Sequence, residues 1–250
     1  MGRRSDELRI EVGRVVNRIG RMVRSAGVAP TVRFLAGLAA EYLAYPRMRK
    51  RRSLARFSFD GEELPYAYHL YSQTWRNERC LELAIAKHFL KDRPTGRMLE
   101  VGNVLGHFGV RGQDVIDKYE RIQGVINRDV VDLGIEQHYD TILSISTLEH
   151  VRLDEVQQDP RGPLLALNSL RRALRGGGRL LVTVPIGYNK GLDEDIRSGR
   201  FAFCRQSYFT RISKENDWVE VTEVEALACS YGWPYEAANA VLVGIDEPEV

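Results

Sequence analysis

Met98-Leu99-Glu100-Val101-Gly102-Asn103-Val104-Leu105-Gly106-His107-Phe108-Gly109 carries a short apolar strand into a glycine-containing turn, with one carboxylate, Glu100, at the strand's tip. A turn that holds a pyrophosphate offers backbone N–H groups and a helix N-terminus to an anion. A carboxylate two residues before the first glycine opposes such a ligand. Glu100 suits a cationic ligand instead, and Gly102 and Gly106 then serve close approach of the backbone. Val104 stands between those glycines, so the turn lacks the G-x-G-x-x-G of a dinucleotide fold, which argues against an NAD(P)-dependent oxidoreductase.

Outward from that turn, strands and helices alternate. Strands are expected near Arg97–Val101, Val115–Lys118, Gly124–Asn127, Tyr139–Ser144 and Arg179–Val184, with a helix over Leu164–Leu174 stopped by Gly176-Gly177-Gly178. Such alternation predicts an α/β, Rossmann-like, mostly parallel twisted sheet with helices on both faces. Trp218–Val224 and Ala240–Ile245 read as two further strands forming an antiparallel C-terminal edge. Between His107 and Gln113 the first crossover has room for one or two helical turns. Upstream, Phe57–Phe59 and Leu64–Tyr66, joined through Asp60-Gly61, have hairpin chemistry, and a helix is expected from about Asn77 to Leu90.

The 250 residues suffice for one α/β core with an appendage. Three scattered cysteines, without a C-x-x-C pair, give no disulfide framework or zinc site, and no apolar run reaches the roughly 20 residues that span a bilayer, so a cytoplasmic protein is expected. The net charge of +2 conceals a division. Residues 1–56 hold 14 Lys/Arg against four Asp/Glu, and residues 57–250 hold 22 against 30. Within the basic part, Leu8, Val12, Val15, Val16, Ile19, Met22 and Val23 keep a helical period, and a second helix is expected from Val32 to Tyr45, stopped by Pro46. These helices suit packing on the body, a homodimer, or peripheral contact with the inner face of a membrane. The expected organisation is a basic helical extension (1–56), a hairpin and cover helix (57–96), and the α/β domain (97–250).

Four blocks carry a family resemblance. They are Met98-Leu99-Glu100-Val101-Gly102; Tyr139-Asp140-Thr141-Ile142-Leu143-Ser144-Ile145-Ser146; Thr147-Leu148-Glu149-His150-Val151; and Leu170 to Pro185 through the glycine triplet. In this order they resemble the class I S-adenosylmethionine (SAM)-dependent methyltransferases. Thr74-Trp75-Arg76-Asn77-Glu78-Arg79, Asp117-Lys118-Tyr119-Glu120, Val125-Ile126-Asn127-Arg128-Asp129 and Gly187-Tyr188-Asn189 are similar to a narrower bacterial group associated with cell-surface glycan or secondary-metabolite assembly. SAM carries a sulfonium and an ammonium and no phosphate, which agrees with the sign of Glu100.

The resemblance implies a division of labour. The loop Glu100, Gly102, Asn103 and Gly106 would cradle the cofactor, and Asp117, or else Glu120, would accept from the ribose hydroxyls. Asp129 would accept from the adenine amino group, with Val130 and Val131 against the ring, and Asp132 would serve the turn. Ser146 would reach the methionine end or bond its own backbone. Trp75 and Arg76, with Tyr71, would form a cover over cofactor and acceptor, or else serve as packing anchor and surface ion-pair member. His150 follows the fourth strand at the sheet's carboxyl edge, where an imidazole would remove a proton from an acceptor or else order its loop. Tyr188, with Asn189 and Asp193, would wall the acceptor pocket. No metal site is indicated, because Ser144 and Ser146 stand where a metal-dependent relative would place further acids.

The expected activity is methylation, first of all on oxygen, of a small molecule or glycan. The alternative is a methyltransferase-like scaffold subunit, catalytically inactive, in a membrane-associated complex. Nucleic acid is disfavoured as partner because the core is acidic.

Overall fold

Eight strands form one mixed sheet in the order β5-β4-β3-β6-β7-β10-β8-β9 in a computed structural model that describes residues 27–91, 96–155 and 158–247. The strands are β3 (Met98–Val101), β4 (Asp114–Ile116), β5 (Val125–Ile126), β6 (Tyr139–Ile145), β7 (Leu174–Pro185), β8 (Arg205–Arg211), β9 (Trp218–Val221) and β10 (Ala240–Asp246). From β5 to β7 all neighbours are parallel, and β10, β8 and β9 add an antiparallel edge. The chain starts in the middle at β3, builds outward to β5, and returns to lay β6 on the other side of β3. That reversal leaves a crevice beyond the carboxyl ends of β3 and β6, where parallel sheets place their ligands.

Both faces of the sheet are covered. Leu99, Val101, Ile142, Leu180 and Val182 point to one face, beneath α3 (Gly162–Ala173), α4 (Lys190–Arg197) and α5 (Glu223–Leu227). Met98, Leu143, Ile145, Leu181 and Val243 point to the other, beneath α2 (Arg79–Phe89) and the hairpin of β1 (Arg56–Phe59) and β2 (Glu62–Pro65). This alternation is the period-two pattern of a strand with two buried faces, and it makes β6 an almost continuous apolar run. α2 is buried nearly all round because it lies between the hairpin's aromatic residues and the sheet.

Several boundaries differ from expectation. β8 and α4 were not anticipated: β8 alternates weakly, and α4 is only eight residues long. The strand expected to reach Val224 stops at Val221, because Thr222 and Glu225 form a capping box that starts α5. The glycine triplet does not separate α3 from β7 as a simple turn. Leu174 already pairs with Tyr139, and the ladder resumes at Arg179 opposite Thr141, so Arg175–Gly178 form an irregularity inside the strand. The crossovers before β4, β5 and β6 contain short 3₁₀ turns or none, and no α-helix.

The chain divides into two compact units, residues 1–53 and 54–250, so the hairpin and α2 belong to the same unit as the sheet. In the first unit α1 (Val28–Arg51) runs through Pro46, where a stop was expected. Proline removes one N–H from the helix, yet Arg49, Lys50 and Arg51 complement the dipole of the last turn, and the N–H groups of Arg52 and Ser53 bond back to Met48 and Lys50. The amphipathic helix expected over residues 8–23 lies outside the described residues. No helix among the described residues is long and apolar enough to cross a membrane.

Candidate functional site

The tips of β3 and β6 meet at Gly102. Its φ is +77°, and a Cβ there would lie 2.2 Å from Thr147 Oγ1, so only glycine lets the two turns close on each other. Glu100 is fully buried in this loop. Its Oε1 accepts from the backbone N–H of Val104 (2.6 Å) and Leu105 (2.5 Å), and its Oε2 from Gln113 Nε2 (3.0 Å). Burial raises its pKa, and these donors pull the other way. The carboxylate therefore shapes the turn that the sequence assigned to a cation. Asn103 and Gly106 lie on the same turn, and Asn103 Oδ1 is the first atom a Cβ on Gly106 would meet, at 2.7 Å.

Asp117 follows β4 at the same edge. Its Oδ1 accepts from the N–H groups of Tyr119 (2.8 Å) and Glu120 (2.7 Å), an Asx turn, while Oδ2 makes no hydrogen bond among the described residues. One carboxylate oxygen is thus open to a diol.

Asp129 is more fully engaged. Its Oδ1 accepts from Val131 N–H (3.1 Å), and its Oδ2 meets Lys118 Nζ (2.9 Å) and Arg152 Nη2 (2.8 Å). Glu155 completes a ring, 2.8 Å from Lys118 and 3.1 Å from Arg152. Burial works against ionisation of Asp129, but the Lys118 hydrogen bond, the Val131 N–H and the Arg152 charge outweigh it and hold the carboxyl below its ordinary range. An adenine amino group can claim Asp129 only by displacing one of these partners. Val130, expected against the adenine, is buried in the core with Leu133 and α3.

Ser146 follows β6 at φ 39°, a backbone region seldom used by residues with side chains. Its hydroxyl donates to Glu82 Oε1 at 2.5 Å, and Thr183 Oγ1 donates to the same oxygen at 2.7 Å. Arg79 Nη1 lies 3.1 Å from Glu82 Oε2 and donates to the Ile145 carbonyl at 3.0 Å. Glu82, on α2, therefore fastens the ends of β6 and β7. Ser146 is committed to this hub.

Beyond β6, His150 is half-exposed between two acids, with Nδ1 2.7 Å from Asp154 Oδ2 and Nε2 3.5 Å from Glu149 Oε1. Its ring lies edge-on to Tyr188 at 4.7 Å, and Tyr188 lies edge-on to Tyr231 at 5.0 Å. Gly187 permits this: φ is +84°, and a Cβ would lie 2.7 Å from the Tyr231 backbone nitrogen. Asn189 and Asp193, expected as pocket walls, also hold this turn. Asn189 caps α4 and donates to the Glu149 carbonyl at 2.8 Å, while Asp193 accepts from Gly187 N–H. Next to them opens a cleft of about 340 Å³ lined by Arg152, Leu153, Asp159, Tyr188, Asn189 and Lys190.

The cover segment divides. Tyr71 stacks on His107 at 4.4 Å and meets Phe108 edge-on, against the loop after β3. Trp75 is half-buried in the 3₁₀ segment Tyr71–Arg76, and Arg76 pairs with Glu236 at 2.6 Å.

Lys118, Arg152, Glu155, Glu78, Glu82 and Tyr231 received no role from the sequence. The Arg79-to-Glu82 spacing of a helical ion pair was visible, but the partners on β6 and β7 were not.

No family model matches the sequence, and no curated protein matches it. Solved structures do. A SAM-dependent methyltransferase from Archaeoglobus fulgidus is 11% identical with a TM-score of 0.45, over 72% of this chain and 98% of that one. The N-methyltransferase NodS from Bradyrhizobium japonicum, in complex with S-adenosylhomocysteine, is 13% identical with a TM-score of 0.44, over 69% and 88%. The 1,6-didemethyltoxoflavin-N1-methyltransferase of Burkholderia thailandensis, with its substrate and S-adenosylhomocysteine, is 18% identical with a TM-score of 0.42, over 84% and 90%. Likeness of this degree assigns no residue of this chain a role and no substrate.

Proposed function

We propose that the chain transfers a methyl group from SAM to a nucleophilic oxygen or nitrogen of a small molecule or glycan. The observation that carries this reading is the meeting of β3 and β6 at a glycine turn that admits no side chain, with the open oxygen of Asp117 at the same edge. The fit to SAM is partial. Gly102, Asn103, Gly106 and Asp117 suit the ribose and methionine ends, whereas Asp129 must exchange a salt bridge for the adenine amino group. SAM brings an already activated methyl group, so the protein's work is orientation, exclusion of water and proton removal. His150, close to Glu149 and Asp154, would move the acceptor's proton, and Tyr188 would wall the acceptor beside it.

Titration calorimetry with SAM and S-adenosylhomocysteine tests this. One molecule of either should bind per chain, and Asp117→Ala should weaken both by about tenfold, roughly 1.4 kcal/mol. Binding of neither would overturn the reading. The engagement of Asp129 with Lys118 and Arg152 favours a second reading, a scaffold that no longer uses the cofactor. The same titration separates the two, since such a scaffold binds neither compound.

A further inference from the structure

Val28, Val32, Ala36, Ala39 and Leu43 recur along α1 at intervals of three and four residues, and all are exposed. At about 3.6 residues per turn they fall within one arc of roughly 80°. Val28, Val32 and Leu43 are 65%, 58% and 77% exposed, so the stripe is open along the helix. Thr31 and Tyr45 are buried, and they lie on a different side of the helix, beyond Tyr42. Packing of α1 therefore uses that side and leaves the stripe to solvent.

Cations border the stripe. Arg33, Arg47 and Arg51 fall along one edge of the arc, and Lys50 closes its C-terminal end next to Arg49. These five are exposed, and none makes an ion pair among the described residues. Over residues 28–52, six Lys/Arg stand against one acid, Glu41. The helix dipole accounts for cations in the last turn, but not for Arg33 and Arg47 or for the apolar stripe beside them.

We propose that α1 lies along a membrane surface of anionic lipid, its stripe at the acyl boundary and its cations among the phosphate headgroups. The proposal goes beyond methyl transfer and does not depend on it. Three kinds of partner suit a basic helix, and the stripe chooses among them. A nucleic acid would take the cations and leave the apolar side chains in water. A second copy would cover the stripe but set like charges side by side along it. An anionic bilayer answers both features, because its headgroups carry the opposite charge and the boundary beneath them takes apolar side chains. The long stems of arginine and lysine let their charged ends rise to the headgroups while valine and leucine sit lower. Tyr42, exposed at the other edge of the arc, is the amphipathic kind of side chain that settles at such a boundary. Valine and alanine bury little area each, so the stripe alone is a weak anchor and the charge is needed with it. The helix lies in the surface, since it is not long and apolar enough to cross.

The test is co-sedimentation of the full chain with vesicles of phosphatidylcholine, alone or with about 30% phosphatidylglycerol. The anionic vesicles should bind at least about tenfold more tightly, and roughly 0.5 M salt should remove most of that preference. Val32→Gln with Leu43→Gln, neutral changes at exposed helix positions, should weaken binding to the anionic vesicles about fivefold or more while leaving Tm within about 2 °C. Arg49→Gln, Lys50→Gln and Arg51→Gln together should abolish the preference for anionic lipid. Should the glutamine variants fold poorly, Tyr42→Trp keeps the stripe and its cations, and its emission relative to the parent chain should shift to the blue on anionic vesicles alone. Binding to neither vesicle, equal binding to both, binding undiminished by the two stripe substitutions, or no blue shift at position 42 would overturn the proposal. A dimer in solution that Val32→Gln and Leu43→Gln dissociate would overturn it in favour of a second copy of the chain.

Discussion

At the scale of the residue, two positions separate binding from chemistry. Gly102 sits at φ +77° with Thr147 in the space a side chain would need. Gly102→Ala should cost roughly 2 kcal/mol of stability, seen in urea denaturation, and lower S-adenosylhomocysteine affinity at least about tenfold. The His150 side chain meets its two acid neighbours and the Tyr188 edge. His150→Ala should therefore lower turnover by about a hundredfold or more with cofactor affinity nearly unchanged, as single-turnover kinetics and calorimetry would show. Equal loss in both would make the histidine a positioning residue for the turn. Residue identity was the legible part: Glu100 and Gly102 were singled out by type at a strand's tip, His150 by its place after the fourth strand, and Asp117 and Asp129 through the family resemblance. What each side chain is bonded to was hidden. Glu100 proves to be a loop ligand, and Asp129 a member of a charge ring, because Gln113, Lys118 and Arg152 approach from other elements.

At the scale of the element, α2 does more than cover the sheet. Glu82 takes two hydroxyls from the ends of β6 and β7 and pairs with Arg79, which also holds the Ile145 carbonyl. Glu82→Gln keeps the shape and removes the charge, so Arg79 loses the buried ion pair that fixes it against the ends of β6 and β7. The expected loss is roughly 3 kcal/mol in chemical denaturation. A loss below about 0.5 kcal/mol, the ordinary effect of a surface change, would mean that the hub contributes packing alone. An apolar period in the sequence predicts α2 correctly between Asn77 and Leu90, since helical burial repeats locally. It says nothing of β8, whose residues alternate too weakly to announce a strand and are ordered by pairing with β10 on one side and β9 on the other. The same holds for Pro46, where intrinsic propensity argues for a stop and the helix continues.

At the scale of the whole molecule, buried acids give stability a dependence on pH with two opposing parts. Asp129 and Glu155 have lowered pKa values. Burial opposes ionisation of Asp129 while Lys118 and Arg152 promote it, and the Lys118 hydrogen bond leads for Glu155. Such groups stabilise the fold above their unfolded pKa, and the benefit is lost as pH falls through the folded value. Glu149 has the opposite sign: its folded pKa is raised, so between the ordinary carboxylate value and the raised one the native state holds more protons, and stability declines as pH rises. Glu149→Gln should remove that decline, raising Tm relative to the parent by at least about 2 °C at pH 8 and by less at pH 5, in thermal scans across that range. An equal shift at both values would count against a raised pKa in the folded protein.

The sequence by itself determined the α/β class, the parallel core with its antiparallel edge, and the carboxyl edge on which ligands are to be sought. Strand and helix periods, glycine turns and the order of blocks are local properties, written in neighbouring residues. Only the tertiary structure decided which carboxylates remain open. Asp117 keeps one oxygen, Asp129 and Glu100 are spent, and Glu149 lies buried with an oxygen unmet. The free energy of a charge depends on what surrounds it in three dimensions, and the residues around these acids come from α2, from the turns beyond β4, β6 and β7, and from the loop carrying Tyr231, far apart along the chain.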